Sequence, residues 1–121
     1  MNVDTSEERL LRLVSRFAVA AQAYQRALDE LDEKRAALHV RVITGLHASI
    51  VAEGQAGREA LLALTDSGDD TVVGMAAVYA IRLDPSRCLK VLRRLAKVEG
   101  LLGFRASVAL ERWEQGEWDG P

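Results

Sequence analysis

The sequence predicts an all-α fold, an α-α superhelix of about six helices arranged in antiparallel pairs. Three observations carry this expectation. Apolar residues recur at spacings of three and four along most of the chain, which is the period of a helix and not of a strand. Only two prolines occur, Pro85 and Pro121, so nothing interrupts a helix before residue 84. A unit of two short helices also recurs with a period near 30 residues, the mark of a solenoid, in which each unit buries its apolar face against the next.

The elements follow in order. Thr5 with Glu8 three residues on forms a capping box, in which each side chain satisfies an orphan amide of the first turn. Leu10, Leu13, Val14, Phe17, Ala21, Tyr24 and Leu28 then make one apolar stripe, which predicts a first helix over 6–28. The acids from Asp29 to Glu33 suit a new helix N-terminus, and a second helix is expected over 32–53. It carries two apolar stripes, one of Leu31, Leu38, Val42 and Leu46 and one of Val40, Ile43, Ile50 and Val51. A helix apolar on two sides is expected to pack on two sides. His39 to Thr44 alternates with period two, but a lone strand would leave its backbone groups unpaired, so helix is the expectation there too.

Gly54 and Gly57 read as the stop of that helix. A short helix over 58–65 carries Leu61, Leu62 and Leu64. Asp66 to Asp70 is a turn, with Asp69 or Asp70 as the next cap. A fourth helix over 71–83 is rich in small residues. Asp84-Pro85 restarts the chain, an acid cap followed by proline at the first helical position. The fifth helix runs to about residue 98, Gly100 closes it, and a sixth spans 101–114. The chain is thus expected to be one domain over 1–121, with a helical pair at 6–53, repeat-like pairs at 58–83 and 85–114, and a short tail at 115–121.

The repeat lies in the second half. Offset by 30, Leu61 meets Val91 and Leu62 meets Leu92; offset by 29, Val73 meets Leu102, Ala77 meets Ala106 and Ile81 meets Leu110. A turn followed by Val-x-x-Ala-Ala-x-x-x-Ile, as from Asp70 to Ile81, is the pattern of HEAT/ARM-like repeats. From Leu13 to Trp118 the chain also resembles a bacterial family known only as domain of unknown function 2019. The resemblance rests on Leu13-Val14-Ser15-Arg16-Phe17, on Gly57 to Leu64, and on Leu101 to Ala106 with Trp113 downstream. It implies an all-helical, HEAT-like right-handed superhelix and supplies no catalytic residue.

Composition excludes several classes. The chain has 16 basic and 18 acidic residues among 121, a net charge of −2, which is not the balance of a nucleic-acid binder. One cysteine excludes a disulfide framework. The first residues are acidic and polar where a secretory signal would be basic and then apolar. No uninterrupted run of about 18 apolar residues exists to span a membrane, so a cytoplasmic location is expected, where a free Cys88 is stable.

Little in the sequence points to chemistry. His39 and His47 lie eight apart, not at the i,i+3 or i,i+4 spacing of a helical metal pair. Asp66, Asp69 and Asp70 lack the alternate ligands and distal Glu of a Ca²⁺ loop. Cys88 shares a stripe with Val91, Leu92 and Leu95, which predicts an inert buried thiol. No catalytic residue, metal site or cofactor is therefore expected. What stands out is a cluster of cations: Arg82, Arg87, Lys90, Arg93, Arg94 and Lys97, with Asp84 the one acid among them. On the fifth helix they fall opposite the apolar stripe. They read either as a solvated face or as a docking strip for an acidic protein partner, with the acidic turn at 66–70 expected nearby. Trp118 in the tail is a second candidate, as an exposed anchor or as a cap folding back on the open end of the solenoid. The expected function is a non-enzymatic protein-protein interaction module, with an immunity or regulatory protein as one version. A homodimer fits the same reading. The competing expectation is a small-ligand-binding protein or enzyme with a pocket between the second, fourth and sixth helices. The core is expected to include Leu62 and Phe104, with a close helix contact at Gly103.

Overall fold

A computed structural model describes residues 5–118. Among them are six α-helices, one 3-10 turn and no strand. The contacts divide the chain into two compact units, one ending at Leu61 and one beginning at Leu62.

The first unit is built on a helical hairpin. Helix α1, Ser6–Asp29, starts where the Thr5 hydroxyl accepts from the Glu8 amide at 3.1 Å. Helix α2, Glu33–Val51, starts where Asp32 accepts from the Arg35 amide at 3.0 Å. Phe17, Ala20, Ala21 and Ala27 of α1 and Ala36, Ile43 and Ile50 of α2 are buried. Arg9 near the start of α1 bridges Glu53 beyond the end of α2 at 3.0 Å, as an antiparallel pair requires. His39 to Thr44 is helical despite its period-two pattern.

Two expectations fail here. Within the first unit the second helix packs on one side, against α1. Ile43 and Ile50 of one stripe are buried, with Val40 exposed and Val51 half-buried, whereas Leu31, Leu38 and Val42 of the other are 88%, 57% and 51% exposed and Leu46 is half-buried. Gly57 does not end α2 either. Helix α3, Gln55–Ala63, already includes it, and only Gly54, at φ +79°, breaks the chain. Gly57 is needed for space, because a Cβ there would overlap the Ile50 carbonyl.

The second unit holds the 3-10 turn Leu64–Asp66 and helices α4, Asp70–Ala80, α5, Pro85–Leu95, and α6, Leu101–Glu114. Helix α4 is its centre, packing against the 3-10 turn, α5 and α6. Seven of its eleven residues are buried, Val72, Val73, Met75, Ala76, Ala77, Tyr79 and Ala80. Its small residues have a direct use. A Cβ on Gly74 would stand 3.3 Å from Leu95 Cδ1 of α5 and 3.5 Å from Leu102 Cδ1 of α6, so the three helices meet at this glycine.

Caps explain the boundaries. Asp69 accepts from the Thr71 amide at 2.9 Å and opens α4. Asp84 accepts from the Arg87 amide at 3.1 Å and, with Pro85 behind it, opens α5. Both α4 and α5 end about three residues earlier than the periodicity suggests. Their last turns tighten, with Leu83 N–H donating to Ala80 O and Val98 N–H to Leu95 O. Helix α6 buries Gly103, Ala106 and Ala109. Gly103 makes the expected close contact, since a Cβ there would overlap the Val98 carbonyl. Phe104 is not a core residue: it is 65% exposed, because one residue beyond Gly103 is about 100° further round the helix. Leu62 is half-buried and Leu61 is the fully buried leucine of that segment. Among the described residues no helix is long and apolar enough to cross a membrane.

Candidate functional site

The cations of α5 do not act alike. Helix α5 buries Cys88, Leu92 and Leu95, so Arg87 and Arg94, two turns apart on one flank, reach the 3-10 turn and the start of α4. Arg87 is engaged three times. Its amide meets the Asp84 cap, its Nε donates to the Thr65 hydroxyl at 3.0 Å, and its Nη2 donates to Asp66 Oδ2 at 2.8 Å. Arg94 Nη2 donates to Asp70 Oδ1 at 3.1 Å. The acidic turn thus lies against the basic strip, as expected, and takes two of its cations. Lys90, Arg93 and Lys97 are exposed and enter none of these bridges.

Arg82 and Trp118 belong to a different contact. Arg82 follows α4, and its Nη2 donates to the Trp118 carbonyl at 3.0 Å. The Trp118 ring meets Trp113 edge to face, with centroids 6.0 Å apart and planes at 70°. Such a pair contributes about 0.5–1.5 kcal/mol beyond its burial. The Trp118 indole N–H is buried and has no hydrogen-bond partner among the described residues. The tail therefore folds back on the end of α6.

Thr65 is the residue that the sequence does not single out. It is the one buried polar residue among those described, donates to the Leu62 carbonyl at 2.6 Å and accepts from Arg87. A threonine ending a leucine-rich helix before an acidic turn carries no signal beyond a turn former. Its role appears only when α5 is placed beside it.

Burial shifts two further titratable groups. Cys88 is buried, and its pKa is pushed up from 9.0 to about 11, first by burial and then by the Asp84 carboxylate, with Arg87 opposing. Burial lowers the pKa of His47 from its ordinary 6.5. Among the described residues no three of His, Cys, Asp and Glu converge as metal ligands would. An open recess lined by Ser6, Glu7, Arg9, Leu10, Ala52, Glu53 and Ala56 holds the Arg9–Glu53 ion pair.

The fold and this surface define an all-α protein with a divided cationic strip. Comparison with family models, with curated proteins and with solved structures finds no match for the chain.

Proposed function

We propose that this chain is a small HEAT-like interaction module, without enzymatic activity, that binds an acidic protein partner through the outer face of α5. The observation that carries the reading is the difference along one helix. Arg87 and Arg94 are spent on Asp66 and Asp70, while Lys90, Arg93 and Lys97 are exposed outside those bridges. Cations with no internal use keep their field for a partner, where they raise association rate most at low salt. Nucleic acid is disfavoured, because no aromatic interleaves the basic residues to stack on bases and the net charge is −2. The same reading places the protein in the cytoplasm and needs no cofactor. Within it, an immunity or regulatory protein is the version that its small, acidic character suits.

The test is a triple charge reversal, Lys90→Glu with Arg93→Glu and Lys97→Glu, used as bait beside the wild type in an extract of the native host. The proposal expects proteins held by the wild type at low salt to be lost from the variant. Identical, equally salt-sensitive yields from two folded baits would reduce the strip to a solvated face.

A further inference from the structure

We propose that the outward face of α2 is a docking ridge for a partner's amphipathic helix that carries carboxylates. Lys34, Leu38, Val42, Gly45 and Ser49 follow one another at spacings of three and four, and Arg41 stands three from Leu38 and four from Gly45, which places the six on one face. All six are exposed, the two apolar ones by half or more. This is the stripe whose periodicity predicts a second packing partner, and within the first unit nothing buries Leu38 or Val42.

Two further observations say what fits there. From Lys34 to Ala52 the chain has no Asp or Glu, while Lys34, Arg35 and Arg41 are all basic and exposed. Arg35 has a 3.9 Å approach to Glu30, with both side chains more than half exposed, and among the described residues Lys34 and Arg41 enter no such bridge. An apolar stripe bordered by cations and free of acids is complementary to an apolar stripe bordered by carboxylates. The other observation is Gly45. Glycine inside a helix is costly relative to alanine, and a Cβ there would meet nothing within 4 Å. The fold of this chain gives that glycine no packing reason, whereas a helix laid across it would approach closely.

The same features argue against other occupants. A second copy would present the same acid-free face, offering Lys34 and Arg41 no carboxylate and adding like charge. A lipid surface calls for a broad apolar face with large or aromatic side chains, whereas this ridge has two aliphatic side chains and a glycine. The surface is separate from the α5 strip and stands whether or not that strip binds a partner.

The probe is a designed, fluorescently labelled helical peptide of about three heptads, with leucines at a and d and glutamates flanking them. A scrambled peptide of the same composition is the control. The wild type is expected to bind the designed peptide, with amide shifts concentrated in residues 34–52 and an affinity that falls with salt. Arg41→Glu and Val42→Ser, both at exposed positions, are each expected to weaken binding about tenfold. Gly45→Leu, filling open space, is expected to block it, with circular dichroism showing all three folded. The Lys90→Glu, Arg93→Glu, Lys97→Glu protein is expected to bind as the wild type does. Absence of binding, equal binding of the scrambled peptide, or indifference to Arg41→Glu and Gly45→Leu would overturn the proposal. So would a dimer in sedimentation that Gly45→Leu splits, or binding to phosphatidylserine–phosphatidylcholine vesicles that Val42→Ser abolishes while the peptide fails to bind.

Discussion

Arg87 donates from Nε to the Thr65 hydroxyl at 3.0 Å, tying the start of α5 to the 3-10 turn before α4. The contact is partly buried, and the same guanidinium reaches Asp66. Asp66 is largely exposed, so its ion pair contributes little. The bond to a buried hydroxyl contributes more, since hydrogen bonds from charged donors are the stronger kind. Arg87→Ala is therefore expected to lower stability by about 1–2 kcal/mol. Lys90→Ala, Arg93→Ala and Lys97→Ala should each stay within about 0.5 kcal/mol of the wild type, as surface changes do. Urea titrations of the four variants check this. Equal losses at all four positions would mean that the strip is not divided in the way described.

The glycines separate by what surrounds them. A Cβ at Gly57 overlaps the Ile50 carbonyl at the end of α2 and one at Gly103 overlaps the Val98 carbonyl just past α5, so in each case backbone must move. Gly57→Ala and Gly103→Ala are expected to cost about 1–3 kcal/mol, as overpacking does. Gly45→Ala meets open space inside a helix and is expected to stabilise by about 0.5–1 kcal/mol. Thermal unfolding of the three single variants reads the opposite signs directly.

Leucine and phenylalanine positions make a similar contrast. Leu61 is fully buried, whereas Phe104 is mostly exposed. Leu61→Ala is expected to cost about 2–5 kcal/mol, and Phe104→Ala less than about 1 kcal/mol. A large loss at Phe104 in a denaturant titration would place that ring in a contact that the structure does not give it.

The helices were legible in the sequence because caps and periodicity are local. Thr5, Asp84-Pro85 and Gly100 mark ends that the structure keeps, and α6 has the expected bounds. Burial was less legible. Leu38 and Phe104 are apolar residues at helical spacing, and whether such a stripe meets a neighbour depends on the tertiary arrangement. Gly57 shows the same limit, since a stop signal and a close-contact glycine look identical until the neighbouring carbonyl is placed. The cationic strip could be found from charge alone. Its division into spent and unspent residues could not, because that depends on where Asp66, Asp70 and Thr65 stand relative to α5.

The end of α1 carries a conformational cost that can be removed. Leu31 N–H donates to Leu28 O and Asp32 N–H to Ala27 O, the bond pattern of a Schellman motif, which asks for a left-handed residue at Leu31. Leu31 supplies it at φ 58°, a region disfavoured for a bulky L-residue. Helix α6 ends with the same two bonds but has Gly116 at that position, at φ 72°. Leu31→Gly is expected to stabilise the protein by about 0.5–1 kcal/mol, the relief of strain exceeding the added freedom of the unfolded chain. Leu31 is almost fully exposed, so no packing is lost. A lower thermal midpoint for Leu31→Gly would show that its side chain makes a stabilising contact in solution.

The two groups whose pKa is shifted by burial, Cys88 and the half-buried His47, set opposite edges to the pH range of stability. The Cys88 thiol holds its proton more tightly folded than unfolded, with a pKa of about 11 against 9.0. Its contribution is therefore whole below pH 9 and is lost as pH rises from there through about 11. His47 has its pKa lowered from 6.5 by burial. The unfolded chain takes up that proton first, so the contribution is whole above about pH 6.5 and erodes as pH falls below it. Stability measured by urea titration should decline on both sides of this window. Replacing His47 by a neutral residue should flatten the acid side alone. At pH 8 the Cys88 thiol is also expected to react with Ellman's reagent only as fast as the protein opens, because the thiolate is the reactive form. Rapid stoichiometric labelling of the folded protein at pH 8 would show that the thiol is accessible and that burial does not govern its chemistry.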